Sequence, residues 1–392
     1  MSRYDKPSMT ALMQGFPPDP AGQVTLANWR APGFNRWAFH HVRELIPTAD
    51  IANDPARTTQ LAIGEPLALP GLAAFLEQTD TDGLAVMHRG RLVFERYASG
   101  MSAQDPHILM SVSKSMLGLL AGMLESRKLL ELQRPVSDYL ESLKATAYRG
   151  ATVRQLLDMR TGVAFEEDYT ATSGPMIAYR KSTGWNPLEP GERPSDLRSF
   201  FKSLEKADRA HGGAFRYTSP NTDLLGWVIE RATGRRYADL MSELLWKPMG
   251  AERSAYITVD RLGAPRCAGG MCVTLRDLAR VGQLLVEGGR GIVPAAWIED
   301  LERGGERAAW DAGNFAYIFP GLPMRYRAKW YALDGEPPML FGWGIHGQHL
   351  FVDRARQIVI AKLSSQAEPV DVARMQATLR TVAGIRDALA GR

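Results

Sequence analysis

The hydrophobic pattern becomes regular at Gly83. Leu84-Ala85-Val86-Met87, the turn His88-Arg89-Gly90 and Leu92-Val93-Phe94 predict two strands joined by a short hairpin, which Gly100 closes. Helical spacing follows from Met110 to Leu130, where Met116, Leu117, Leu119, Leu120, Met123 and Leu124 share a face. Serines at 111, 113 and 115 lie at its start and Lys128 near its end. Shorter helices are predicted at 152–159, 196–206, 221–233 and 237–246, each bounded by Gly, Pro or polar clusters. Strand character returns in Gly344–Val352 and in Gln357–Leu363, with the β-branched run Ile358-Val359-Ile360. An amphipathic helix over about 370–390 completes the pattern.

Sheet material therefore lies towards both ends and helices fill the middle. This order predicts an α/β core built from residues 1–110 and 270–392, with a mainly helical lobe at 111–269 inserted between them. Residues 1–60 read as an irregular, proline-bearing arm, anchored on the core by Trp29, Phe34, Trp37 and Phe39. No repeat period of 20–50 residues is present, which excludes solenoids and propellers.

Composition narrows the function classes. With 45% apolar and 23% charged residues among 392, the chain has globular proportions. No run approaches the roughly 18 apolar residues of a membrane span, and the first residues lack the apolar stretch of a secretory signal. Forty-seven Lys+Arg against 43 Asp+Glu gives +4, dispersed along the chain, which argues against nucleic-acid binding. Two cysteines, Cys267 and Cys272, supply neither a disulfide framework nor a zinc site and read as packing residues. The expectation is a cytoplasmic, enzyme-sized protein without metal or cofactor, for which a homodimer is left open.

Ser111-Val112-Ser113-Lys114 places a serine and a lysine one helical turn apart, so that Lys114 can reach the Ser111 hydroxyl. A serine becomes nucleophilic when an adjacent base takes its proton, and a lysine is such a base once burial or positive potential lowers its pKa. About one Ser-x-x-Lys match is expected by chance in a chain of this length. A second match, Ser203-Leu204-Glu205-Lys206, has the composition of a solvated helix face. The other reading of Ser111 and Lys114 is an N-cap serine followed by a surface lysine. There is no Gly-x-Ser-x-Gly, His-Glu-x-x-His or Walker-type motif among them, so a Ser-His-Asp triad has no anchor.

Three further segments supply context: Leu156-Leu157-Asp158-Met159-Arg160-Thr161-Gly162, Phe215-Arg216-Tyr217-Thr218-Ser219-Pro220-Asn221, and Gly342-Trp343-Gly344-Ile345-His346-Gly347. In this order after Ser111–Lys114, they resemble the serine β-lactamase and penicillin-binding-protein superfamily, in its esterase-like branch, over roughly residues 80–365. Glu167-Asp168-Tyr169, Gly184-Trp185, Asn221-Thr222-Asp223 and Lys362-Leu363-Ser364-Ser365 resemble the 6-aminohexanoate-dimer hydrolases within that branch.

The resemblance implies a β-lactamase-like fold, an antiparallel sheet flanked by helices. It implies Ser111 as the acylated nucleophile, Lys114 as its proton acceptor and Tyr217 as proton shuttle, with a phenol pKa depressed by the lysine. Ser219 would be hydrogen-bonded to the lysine region. The N–H groups of Ser111 and Ile345 would form the oxyanion hole, with Gly344 allowing close approach. Tyr169, Trp185 and Trp330 would line the pocket, with Tyr169 bonded to a scissile amide nitrogen, and His346 lies beside the oxyanion strand.

Two departures matter. Gly342-Trp343-Gly344 replaces the Lys-Thr-Gly of β-lactamases, which weakens the alternative of a β-lactamase or D-amino-acid peptidase. Counting without gaps between Tyr169 and Trp185, Arg180 stands where efficient dimer hydrolases carry an aspartate for the substrate ammonium. A cation there repels an amino terminus and favours an anionic substrate. The expected function is hydrolysis of carboxylic esters, extending to linear amides, on a small-molecule substrate. A catalytically silent binding protein of the same fold is the rival from another class. The Gly342, Gly344 and Gly347 spacing mimics a dinucleotide fingerprint, but the strand-like residues after it exclude that reading.

Overall fold

The computed structural model describes residues 12–391. Its main sheet has eight strands: β2 (Ala62–Ile63), β3 (Thr81–His88), β4 (Arg91–Tyr97), β8 (Met324–Arg327), β9 (Trp330–Leu333), β10 (Met339–Gly344), β11 (Gln348–Asp353) and β12 (Ile358–Ser364), in the order β2-β4-β3-β12-β11-β10-β9-β8. Every pair is antiparallel except β2 with β4. The predicted hairpin is β3–β4, and β12 closes the sheet against β3 in the register Ile360 opposite Val86.

β3 is buried along its whole length, and its two faces serve two cores. Leu84 and Val86 join a cluster with Leu72, Leu76, Met375, Val382 and Ile385, from the helices Leu72–Gln78 and Val372–Leu389. Ala85 and Met87 point the other way, into a cluster with Leu278, Val281 and Leu285 of the helix Leu275–Val286. The strand period of two thus builds a layer of helices on each side of one sheet.

A second sheet of four strands has the order β1 (Thr48–Ile51), β6 (Ala255–Thr258), β7 (Met271–Val273), β5 (His107–Ile108). The expected boundary between residues 269 and 270 falls inside this sheet, with β6 before it and β7 after it. The helices Val153–Leu157, Pro175–Ser182, Leu197–Ser203 and Pro220–Thr233 pack against one another.

Between these parts runs the helix Val112–Ser126, buried at every position from Val112 to Leu124. Such a helix is apolar all round and must be enclosed on all sides. Its glycines permit that enclosure: a Cβ on Gly118 would lie 2.1 Å from the Ala328 carbonyl oxygen, and one on Gly122 would lie 2.4 Å from the Trp297 ring.

The structure corrects one predicted strand. Of Gly344–Val352, the residues Gln348–Val352 do lie in β11, but β10 ends at Gly344 and Ile345–Gly347 forms a tight corner between the two strands. His346 turns it with a left-handed φ of 61°. The arm meets the expectation for its aromatics. Trp29 and Phe39 are buried with Ile108, Met110 and Trp185, and Phe34 and Trp37 pack partly buried against that cluster. No described helix is long and apolar enough to cross a membrane.

Candidate active site

β5 leads directly into the site. The Leu109 N–H donates to the Met271 carbonyl at 2.8 Å, and Met110 then turns the chain through a left-handed φ of 45° into the buried helix. Such a conformation costs a β-carbon residue roughly 1–3 kcal/mol and persists only where the surroundings enforce it. It sets Ser111 at the mouth of the helix, on the wall of a narrow cleft with about 30 Å³ of free volume. The neighbouring serines are tied elsewhere: Ser113 Oγ accepts from the Met271 N–H at 3.1 Å and Ser115 Oγ donates to the Lys329 carbonyl at 3.0 Å.

Lys114 is fully buried. Its Nζ donates to Ser111 Oγ at 2.8 Å and to the Ala268 carbonyl at 2.7 Å. Loss of hydration lowers its pKa to about 7, with Glu167 and Asp223 opposing the shift and Arg266 assisting it. A lysine at that pKa is substantially neutral near pH 7 and can accept a proton from the hydroxyl it touches.

The loop that holds Lys114 is itself fixed. Asp223, on the helix Pro220–Thr233, accepts from the Ala268 N–H at 2.7 Å and binds both Arg266 and the Tyr179 hydroxyl.

Tyr217 lies beside this pair, buried, with its phenol hydrogen-bonded to Ser111 and its ring centroid 4.8 Å from Lys114 Nζ. The expected depression of its pKa is not found. Burial and the nearby Glu167 charge push the phenol well above its usual value, outweighing the bond from Ser111. Tyr217 is therefore a neutral phenol near pH 7, held so by burial and by the Glu167 charge.

Ser219 also differs from expectation. Its N–H and Oγ donate to the Glu167 carboxylate at 2.8 and 2.5 Å, while the second partner of Lys114 is Ala268. The Glu167 carboxylate has two oxygens to accept both donors, while the Lys114 amine is taken up by Ser111 and Ala268.

Of the other expected residues, Tyr169, Arg180, Trp185, Ser219 and Ile345 line the cleft with Ser111. Gly344 closes it from behind: a Cβ there would lie 2.8 Å from the Ser111 nitrogen and 2.7 Å from the Leu109 carbonyl oxygen. The glycine therefore admits the nucleophile loop itself against β10.

Trp330 and His346 do not line the cleft. Trp330 is wholly buried beneath the helix, its Nε1 donating to the Ser115 carbonyl at 3.1 Å. Its position just after the turn Ala328-Lys329 carries it inward. His346 bonds through Nδ1 to the Gln366 carbonyl at 2.7 Å, and burial lowers its pKa to about 4, so it is a neutral pin for the corner. Cys267 and Cys272 are buried free thiols, as expected for packing residues. Ser203 and Lys206 of the second Ser-x-x-Lys are exposed.

Seven cleft residues were outside the sequence reading of the site, and four of them carry polar groups or position Lys114. Arg30 comes from the arm, Arg266 and Ala268 from the loop before β7, and Glu167 from the segment that already pointed to Tyr169. Only Glu167 had a signal, through that adjacency.

Comparison with known proteins agrees with this geometry. A family profile described as Beta-lactamase matches residues 63–384. A 6-aminohexanoate-dimer hydrolase from Paenarthrobacter ureafaciens is 37% identical over 364 residues, which cover 90% of this chain and 91% of that protein. A Bacillus anthracis structure provisionally named 6-aminohexanoate-dimer hydrolase has a TM-score of 0.85 at 25% identity, covering 94% of this chain and 97% of its own. EstCE1, a hydrolase with promiscuous acyltransferase activity, shares the fold alone, with a TM-score of 0.61 at 18% identity over 82% of this chain and 98% of its own. The profile and the end-to-end relative together place the chain in the β-lactamase family, as a hydrolytic enzyme of that superfamily.

Proposed function

We propose that the protein hydrolyses carboxylic esters, and linear amides more slowly, through an acyl-enzyme on Ser111. One observation carries this reading: a buried lysine, its pKa lowered to about 7, lies 2.8 Å from the hydroxyl of a serine that opens on a cleft. Lys114 takes the hydroxyl proton as Ser111 Oγ attacks the substrate carbonyl. The N–H groups of Ser111 and Ile345 receive the developing oxyanion.

Tyr217, a neutral phenol bonded to Ser111, gives its proton to the leaving oxygen or nitrogen as Lys114 returns one to it. Water then attacks the acyl-enzyme by the same route in reverse, releasing the acid and restoring Ser111. Tyr169, on the cleft wall, accepts from the scissile N–H of an amide substrate in this reading, which its place in the lining supports. The relative's activity on 6-aminohexanoate dimer makes linear amides the natural extension of ester cleavage.

The experiment is the initial rate on p-nitrophenyl butyrate for the wild type and for Ser111→Ala. Activity lost in the variant, with an acyl adduct on the wild type by mass spectrometry, supports the reading. Activity that persists in the variant removes Ser111 from the chemistry. Activity absent from both, with no labelling by a serine-reactive phosphonate, favours a silent binding protein.

A further inference from the structure

The cleft wall carries more positive charge than its own carboxylates balance. Arg30, Arg180 and Arg266 all line it, against Glu167 there and Asp223 behind it. Asp223 is committed to Arg266, and Glu167 spends its oxygens on Ser219. Among the described residues, Arg30 and Arg180 form no ion pair. Arg180 Nη2 donates to the Tyr169 carbonyl at 2.9 Å, and Arg30 Nη2 donates to the Asn186 side-chain oxygen. The Nε of each is buried without a hydrogen-bond partner. Buried donors of this kind are costly to leave unmade, and these two belong to side chains that line the cleft beside Ser111.

The setting fits a planar anion. The Arg30 guanidinium lies 5.4 Å from the Trp29 ring centroid and 6.0 Å from that of Trp185. Stacking uses the faces of a guanidinium and leaves its in-plane donors free, the geometry in which arginine holds a carboxylate. Arg30 is also under strain from its own neighbourhood: burial, together with the charges of Arg180 and Arg266, lowers its pKa to about 9. An anion bound between these groups would relieve that repulsion.

We propose that Arg30 and Arg180 form a carboxylate subsite beside Ser111, so that the preferred substrates are esters or amides carrying a carboxylate near the scissile bond. Half-esters and half-amides of short dicarboxylic acids have this form. The subsite joins the arm to the helix Pro175–Ser182, giving residues remote in sequence one specificity function. It rests on the acyl-enzyme reading for its chemistry, but binding of the anion does not depend on turnover.

The test compares kcat/KM for p-nitrophenyl hydrogen adipate and for neutral p-nitrophenyl pentanoate at pH 8. One charge-assisted contact predicts a preference of about ten- to hundredfold for the adipate in the wild type. Arg30→Gln and Arg180→Gln, made separately, should each collapse that ratio about tenfold, and Arg30→Lys should restore part of it. Two variants from different segments guard against one that fails to fold. A wild-type ratio near one, or a ratio that survives both glutamine variants, overturns the subsite.

Failure of the catalytic reading looks different, since neither ester is then cleaved. In that case calorimetry of monoethyl adipate against monoethyl-capped neutral analogues reads the subsite directly. Binding of the anion that is lost in Arg180→Gln upholds it, and no preference for the anion overturns it.

Discussion

The pH dependence of acylation should be set by Lys114 and adjustable through Glu167. In the wild type the amine must be neutral to accept the serine proton, and its pKa of about 7 places the midpoint of the acidic limb of kcat/KM there. Below it the rate should fall about tenfold per pH unit. The groups that act on Lys114 are Glu167 and Asp223, which raise its pKa, and Arg266, which lowers it. Asp223 and Arg266 are bound to each other and largely cancel.

Glu167→Gln removes the strongest charge acting on the amine while keeping the shape and an acceptor for Ser219. A Coulomb interaction of roughly 1–2 kcal/mol at an effective dielectric of ~20 corresponds to about one pH unit. Since Glu167 raises the lysine pKa, its loss moves the limb downwards, to a midpoint of about 6. At pH 6 the wild type should retain roughly 9% of its plateau and the variant roughly 50%.

The assay is kcat/KM on a neutral ester from pH 5 to 9, each enzyme normalised to its own plateau and the ionic strength held constant. Tyr217 should add no limb near neutrality, because its phenol is held well above its usual pKa. A limb that stays at pH 7 in Glu167→Gln, or moves upwards, would refute Lys114 as the titrating base.

Removing the base should stabilise the fold. An unfolded lysine holds its proton up to about 10.5 and the native one only to about 7, so stability rises with pH across that window and the penalty is full below it. That penalty is up to about 5 kcal/mol. After the hydrogen bond to Ala268 is lost, Lys114→Met should gain roughly 2–3 kcal/mol in denaturant unfolding at pH 6.5 and less at pH 10, with hydrolysis abolished. Gly344→Ala should cut kcat at least about tenfold with little change in KM, because its Cβ would press on the Ser111 nitrogen and the Leu109 carbonyl. Trp330→Phe should cost about 1–2 kcal/mol in thermal or denaturant unfolding by stranding the Ser115 carbonyl, and should leave the neutral-to-anionic substrate ratio as it was. Hydrolysis of 6-aminohexanoate dimer should run well below that of simple esters, because Arg180 meets the substrate's ammonium with like charge; comparable rates would remove that argument.

What the sequence made legible follows from the range of the forces involved. The hairpin β3–β4, the buried helix after Ser111 and the reach of Lys114 to Ser111 are local, set by periods of two and 3.6 and by one helical turn. The four-stranded sheet was not legible, because β5 and β7 have two and three residues, and the pairings of β5 with β7 and of β1 with β6 join segments more than 160 positions apart. The corner at Gly344–Gly347 was hidden for a related reason. Apolar and glycine residues continue through it without interruption, and the turn depends on His346 accepting a left-handed φ that its bond to Gln366 supports.

The site divides in the same way. The structure brings Ser111, Lys114, Tyr169, Tyr217 and Ile345 together, and the order of their segments along the chain is what made them candidates. Tyr217 was nevertheless expected to have a depressed pKa, whereas burial and the Glu167 charge raise it, and burial is something no four-residue motif displays. Arg30 is the extreme case. Nothing near it in sequence speaks of catalysis, yet Trp29 carries it to the cleft by anchoring on the Trp185 carbonyl at 3.1 Å. On the function and subsite proposed above, the chemistry of acyl transfer is written in short motifs, while the choice of substrate is made by an arm whose relevance exists only after folding. Variants that alter substrate preference without loss of acylation should therefore be found in the arm and the helix Pro175–Ser182 before they are found around Ser111.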